Sequence, residues 1–188
     1  MVLKDEQKKA FYTNIIPVVG RLEDEMVQEV INKLLELATV DKFSRLVLAI
    51  NSGGGQVYQA FAIYDVATTL TKPVDTIVIG RAHSAAILVV QAGQKRYALP
   101  NSDFLLHEVG TDFNTRLTPD ELKFEFNTLK KVEDRMFSIL AKRCGQTEKK
   151  LFKDSRENKT FTATEALEYG LIDKIITNLP LLVQYYRE

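Results

Sequence analysis

One cysteine, no tryptophan and two histidines occur in this chain of 188 residues, and its 25 lysines and arginines are balanced by 25 acidic side chains. Each scarcity removes a class of protein. The lone Cys144 excludes an internal disulfide, and with it a disulfide-stapled secreted scaffold. A formal net charge of zero leaves no general field to draw in nucleic acid or an anionic membrane surface, so neither is expected as a partner. No apolar run approaches the ~20 residues of a membrane span. The opening Met1-Val2-Leu3-Lys4-Asp5-Glu6 has no apolar signal core, and a reducing cytoplasm is the expected location. Phosphate-cradling motifs are also missing, since neither G-x-x-x-x-G-K-[ST] nor G-x-G-x-x-G can be read.

What is present is a regular alternation of short apolar runs with helical patterns, the signature of a single layered α/β domain. Strands are expected at Ile15–Val19, Leu46–Ile50, Thr76–Ile79, Lys95–Leu99, Asp103–His107 and Leu171–Ile176. Helices are expected at Glu23–Leu37, Val57–Leu70, Ser84–Ala92, from Pro119 to about Cys144, and at Thr162–Tyr169. Glu108–Thr118 is polar and irregular. The long helix after Pro119 carries apolar residues on more than one stripe, as expected if one side covers the core and another meets a partner subunit.

Two segments carry chemistry. Thr76–Val90 reads T-I-V-I-G-R-A-H-S-A-A-I-L-V-V: strand, turn, then a serine opening a helix. A hydroxyl there lies beside unpaired first-turn N–H groups that can hold a developing oxyanion. A serine nucleophile needs a base within hydrogen-bond reach, and only two histidines are available. His83 is adjacent to Ser84 and cannot easily turn its ring onto the same hydroxyl, so it is expected to pack at the cleft. His107 closes the run Phe104-Leu105-Leu106 and is the better base. The second segment is Asn51-Ser52-Gly53-Gly54-Gly55, where successive glycines free the backbone to approach another chain. A flexible turn is the plain reading; with the serine and histidine downstream, a backbone N–H aimed at a carbonyl oxygen becomes the stronger one.

These residues resemble a family, the Clp-type proteolytic subunit (ClpP). The likeness runs through Ser52-Gly53-Gly54-Gly55, Ile63-Tyr64-Asp65, Gly80-Arg81-Ala82-His83-Ser84-Ala85-Ala86, Leu99-Pro100-Asn101-Ser102 and Glu165-Ala166-Leu167-Glu168-Tyr169-Gly170-Leu171-Ile172-Asp173, from about Ile15 to Ile176. The resemblance implies a crotonase-like α/β fold, one domain over 1–188 built of stacked strand-helix units, with a short N-terminal segment at 1–10 and a protruding handle helix in a region spanning 108–144. It implies serine-dependent cleavage of extended polypeptides inside stacked six- or seven-membered rings of like subunits. No metal or cofactor is implied; ATP would enter through a separate unfoldase, if one docks.

Carried over position by position, the resemblance makes Ser84 the nucleophile and His107 the general base. Gly55 and Ala85 supply the oxyanion hole, and Gly53 and Gly54 lie along the substrate backbone. The family's triad aspartate falls at Asn158. Asparagine can accept the histidine N–H but brings no charge, and Asp154 and Glu157 are close enough in sequence to be alternatives. Arg156 and Glu157 reverse the family's acid-base order at a contact between rings. The N-terminal segment that loops at the axial pore in the family is short and charged here, and Glu108-Val109-Gly110-Thr111-Asp112-Phe113 replaces the proline and glycines expected after the histidine. A catalytically weak or inactive subunit serving an active paralogue is the alternative, motivated by Asn158. A crotonase-fold acyl-CoA enzyme is a third, which leaves the serine-histidine pair unexplained.

Overall fold

The structure, a computed structural model, describes residues 14–111, 113 and 116–177. The N-terminal segment expected at 1–10 lies outside the described residues, as does Asp112 in the segment following His107. Thirteen elements are described. They run β1 (Ile15–Val19), α1 (Asp24–Ala38), β2 (Leu46–Ser52), α2 (Val57–Thr69), β3 (Val74–His83), α3 (Ala86–Val90), β4 (Arg96–Ala98), β5 (Asp103–Leu106), α4 (Pro119–Cys144), α5 (Glu148–Arg156), β6 (Lys159–Thr162), α6 (Ala163–Tyr169) and β7 (Lys174–Ile175). The strands form one mixed sheet in the order β1-β2-β3-β4-β7, with β5 pairing the far end of β3 on the same edge as β4 and carrying β6 antiparallel. This is a single α/β domain, the architecture that the resemblance implies.

The branching comes from the length of β3. Its first half, Thr76–Val78, pairs in parallel with Arg96–Ala98, and its second half, Arg81–His83, pairs in parallel with Asp103–Leu105. The sequence pattern predicts that this strand ends at Ile79, before Gly80; instead it runs through the glycine to His83. Gly80 is needed because the Asn51 side chain crosses the strand there, 2.7 Å from where a β-carbon would stand. Helices α1, α2, α3 and the second half of α4 cover one side, burying Leu34, Leu37, Ile63, Phe137 and Leu140 with Leu48 and Ile50 of β2.

Helix α4 is long, 26 residues or about 39 Å. Thr118 and Glu121 cap it reciprocally, Pro119 opens it, and Gly145 in the left-handed conformation stops it. Its buried residues begin only at Val132, whereas Leu122, Phe124 and Phe126 in the first turns are half or more exposed. The expected division of this helix into a core half and a projecting half is therefore along its length rather than around it. No helix among the described residues is long and apolar enough to cross a membrane.

Two elements lack the signal that marks the others. Helix α5 is E-K-K-L-F-K-D-S-R, with Leu151 its only fully buried apolar residue, and β6 has the single buried Phe161 in four residues. Hydrophobic periodicity cannot detect elements this short and polar. Thr147, accepting from the Lys150 N–H as the cap of α5, is the local cue that was there to use.

The C-terminal elements are tied together by one arginine. Arg96, on β4, is 6% exposed, and its guanidinium donates to the Gln91 side chain at 2.5 Å, the Arg143 carbonyl at 3.0 Å, the Gly170 carbonyl at 2.8 Å and the Asp173 carboxylate at 2.5 Å. Two of these carbonyls end helices, α4 and α6, whose last acceptors have no partner inside the helix. Arg143 in turn donates to the Gly93 carbonyl beyond α3. Burial opposes ionisation of Asp173, but the Arg96 hydrogen bonds prevail and hold its carboxyl below the usual range. Asp173 is itself exposed, but removing Arg96 leaves the oxygens of Gln91, Arg143 and Gly170 without their donor, at a cost of about 3 kcal/mol in all. Arg96→Met should accordingly lower the melting temperature by about 6–12 °C, read by circular dichroism. Because the native Asp173 pKa is depressed, its contribution is present above about pH 4 and lost as pH falls through the native value. Asp173→Asn should therefore flatten the acid limb of the stability curve below about pH 4; an unchanged limb would show that the pair does not contribute.

Candidate active site

Ser84 sits in the turn between β3 and α3 with φ of +56°, a left-handed conformation in which a residue with a β-carbon is strained by about 1 kcal/mol or more. The turn is held from both sides: the Ser84 N–H donates to the Leu105 carbonyl at 2.8 Å, and the Ser84 carbonyl accepts from Ile87 at 3.0 Å. The expected helix from Ser84 to Ala92 is shorter, Ala86–Val90, with Ala85 at its N-cap. Ser84 thus precedes the helix instead of opening it, because the β3–β5 ladder still claims its N–H. Five residues make a weak dipole, so what this turn offers an anion is the individual N–H of Ala85 more than a helix field.

The glycine segment is fastened to the chain before α1. Leu22 donates to the Gly54 carbonyl at 2.9 Å and accepts from the Gln56 N–H at 3.0 Å, which turns the N–H and carbonyl of Gly55 to the opposite side. Ser52 Oγ donates to the Gly20 carbonyl at 2.6 Å and accepts from the Gly54 N–H at 3.1 Å. Among the described residues, neither the Gly55 nor the Ala85 N–H donates to another group. The three glycines are not equivalent. A β-carbon on Gly53 would make ordinary contact with the Arg81 guanidinium at 3.6 Å. One on Gly54, whose φ is +89°, would stand 2.7 Å from both the His83 carbonyl and the Ser84 β-carbon. One on Gly55 would stand 2.5 Å from the Leu22 carbonyl oxygen.

A cavity of about 380 Å³ joins these parts, lined by Ser84, Ala85, Gly53, Gly55 and His107. Val57, Val109 and Met136 supply apolar wall, with Arg21 and Glu108 among the charged groups. Arg21, Val57 and Met136 have no signal of their own as site residues: each reaches the cleft only through the packing of α1, α2 and α4 around β3. His107 is the first residue past β5. Among the described residues it forms no hydrogen bond to Ser84 or to Asn158.

Asn158 does not line the cavity. It is exposed, with φ of +50°, and its N–H donates to the Ser155 carbonyl at 3.1 Å, so it terminates α5 in the conformation asparagine adopts more readily than most residues. The β5–β6 ladder ends at the pair Leu106–Lys159, so His107 and Asn158 are the residues next beyond it on the two segments. The two alternatives are engaged elsewhere. Asp154 is buried against Tyr169, Lys150 and Lys159, and Glu157 lies 3.9 Å from Lys153. Arg156 pairs with Glu108 of the same chain at 3.2 Å. His83 pairs with Asp103 across the β3–β5 ladder and is absent from the cavity wall, so it does not take the place at the cleft expected for it. Cys144 is buried, and burial pushes its thiol up to about 11. No group of three or more histidine, cysteine or acidic side chains that could hold a metal occurs among the described residues.

Known proteins are similar to this chain. The ATP-dependent Clp protease proteolytic subunit-related protein 2, chloroplastic, of Arabidopsis thaliana is 34% identical over 170 residues, which is 89% of this chain and 60% of that protein. The chain thus spans about 60% of the length of the curated relative it matches. The family model described as Clp protease matches residues 2–179, and on that match the chain belongs to the Clp protease family.

Proposed function

We propose that this chain is a serine endopeptidase that cleaves extended polypeptide inside a ring-shaped chamber of like subunits. The observation that carries the reading is the strained, left-handed Ser84 sharing one cavity with His107 and with two N–H groups, of Gly55 and Ala85, that have no other acceptor among the described residues. Ser84 Oγ attacks the scissile carbonyl as His107 takes its proton. The carbonyl oxygen becomes an oxyanion between the Gly55 and Ala85 N–H groups. Collapse expels the amine, which receives the proton from His107, and water repeats the sequence on the acyl-enzyme. Each donor of such a hole contributes about 10²-fold or more to turnover. Asn158 accepts from the far imidazole N–H and fixes its tautomer without stabilising the imidazolium by charge, so turnover is low for this chemistry.

A weak or inactive structural subunit is the second reading. Asn158, the lack of a hydrogen bond between Ser84 and His107 among the described residues, and the word "related" in the name of the plant homologue favour it. The exposed Leu122, Phe124 and Phe126 on the projecting half of α4 support assembly under either reading, and Arg156 and Glu157 are proposed to lie at the contact between rings. ATP enters only through a separate unfoldase, and the cytoplasm is the proposed location.

A fluorophosphonate separates the two readings. It should label the wild-type protein at Ser84, mapped by mass spectrometry, and Ser84→Ala and His107→Ala should each abolish cleavage of short fluorogenic peptides. Absence of label with an intact oligomer establishes the structural reading. Within the glycine segment, Gly53→Ala should be nearly silent. Gly54→Ala should lower kcat by about 10²-fold, because the new methyl displaces Ser84 from the hole. Gly55→Ala should reduce stability as well as turnover, as its methyl meets Leu22. Equal turnover of all three variants would overturn this assignment. Finally, Asn158→Asp should raise kcat by about tenfold or more with little change in KM, and Asn158→Ala should lower it, both read from steady-state kinetics.

A further inference from the structure

Asparagine sets a stricter geometric demand than aspartate at the third position. A carboxylate presents two equivalent oxygens and attracts the imidazole N–H through charge. An amide has one acceptor oxygen, and a rotation of its plane offers an NH2 group that repels the same N–H. Whatever holds the backbone at Asn158 therefore has more to do in this chain than in one with aspartate there.

The residues around Asn158 converge on Tyr169, at the end of α6. The Tyr169 hydroxyl donates to Asp154 at 2.6 Å, and its ring packs edge-on against Phe161 at 4.7 Å between centroids. Asp154 lies four residues before Asn158 and Phe161 three after it, so one side chain clamps both flanks of the turn. Asp154 also accepts from Lys159, the next residue after Asn158, at 3.4 Å, and from Lys150 at 3.0 Å. All three members of the clamp are buried: Asp154 is 5% exposed, Phe161 3% and Tyr169 7%. Tyr169 is anchored in turn, its carbonyl accepting from the Gln146 side chain at 2.9 Å. Burial works against the Asp154 charge, yet the hydrogen bonds from Tyr169 and Lys150 hold its carboxyl below the usual range. Burial and the facing carboxylate push the Tyr169 phenol far up, so it remains a donor at every working pH.

We infer that Tyr169, through Asp154, is a positioning residue for Asn158: its hydroxyl and ring lock the left-handed turn that sets the Asn158 amide opposite His107. The inference rests on the triad reading of Asn158 given above. Tyr169 does not line the cavity; its effect reaches the reaction only through the α5–β6 turn.

The test is a double-mutant cycle. Tyr169→Phe removes the hydroxyl and keeps the ring. It should lower kcat by about five- to tenfold and leave KM within about twofold, with Asp154→Asn serving if Tyr169→Phe does not fold. In an Asn158→Ala background, Tyr169→Phe should lose nothing more, since the group it positions is gone. The same factor lost in both backgrounds would overturn the inference and assign Tyr169 a general structural role. An Asn158→Ala protein as active as wild type, with Ser84→Ala dead, would overturn the triad reading of Asn158 and the inference with it. The second readout does not depend on turnover. The chain has two histidines, so the His107 imidazole can be followed by nuclear magnetic resonance beside His83 as internal control. Tyr169→Phe should shift the His107 ring resonances in the direction that Asn158→Ala does while His83 stays in place; an unmoved His107 would overturn the inference.

Discussion

The site hangs on the register between β3 and β5. That parallel ladder pairs Arg81–His83 with Asp103–Leu105 and ends with the Ser84 N–H on the Leu105 carbonyl. Three things follow from this one bond. Ser84 is kept from joining α3 and is forced into the left-handed region. His107, two residues beyond Leu105, emerges on the same side as the serine. The antiparallel pairing of β5 with β6 then carries the row on to Asn158. Shifting the register by one residue would turn every alternate side chain to the other face of the sheet and scatter all three.

Much of this arrangement is legible in the residues. The apolar, β-branched runs of β1, β2 and β3 and the amphipathic pattern of α1 and α2 declare themselves by period, and Thr118, Pro119 and Gly145 punctuate α4 at its true ends. The Ser84, glycine and His107 segments are visible because the chemistry requires those residue types. What period and composition cannot convey is pairing. Nothing in Lys159-Thr160-Phe161-Thr162 announces a strand, since it becomes one only when β5 offers an edge. For the same reason Asn158 can be identified as a position but not located in space. The role division among Gly53, Gly54 and Gly55 was equally hidden, as it depends on what lies behind each: the Arg81 side chain, the His83–Ser84 turn or the Leu22 backbone.

Two clusters of polar contacts tie the C-terminal elements together, and they are built differently. The Arg96 cluster serves helix ends, collecting carbonyls that would otherwise be buried without donors, and it couples β4, α4, α6 and β7. The Tyr169–Asp154 cluster serves a turn and adds two lysine charges around a single carboxylate. Both meet at the short segment Tyr169-Gly170, where a β-carbon on Gly170 would collide with the Cys144 carbonyl. The end of α6 is therefore a junction at which helix packing and the geometry beside His107 are set together.

Cys144 stands in that junction, its sulfur 3.8 Å from the Gln91 amide oxygen that also receives Arg96. With burial raising its thiol to about 11, only about one molecule in 10⁴ carries a thiolate at neutral pH, and the folded chain shields even that fraction from solvent. Reaction with an alkylating reagent must wait until the Arg96 cluster opens. The single thiol is thus a built-in clock: its labelling half-life measures how often α4, α6 and β7 part from one another, without any probe being introduced.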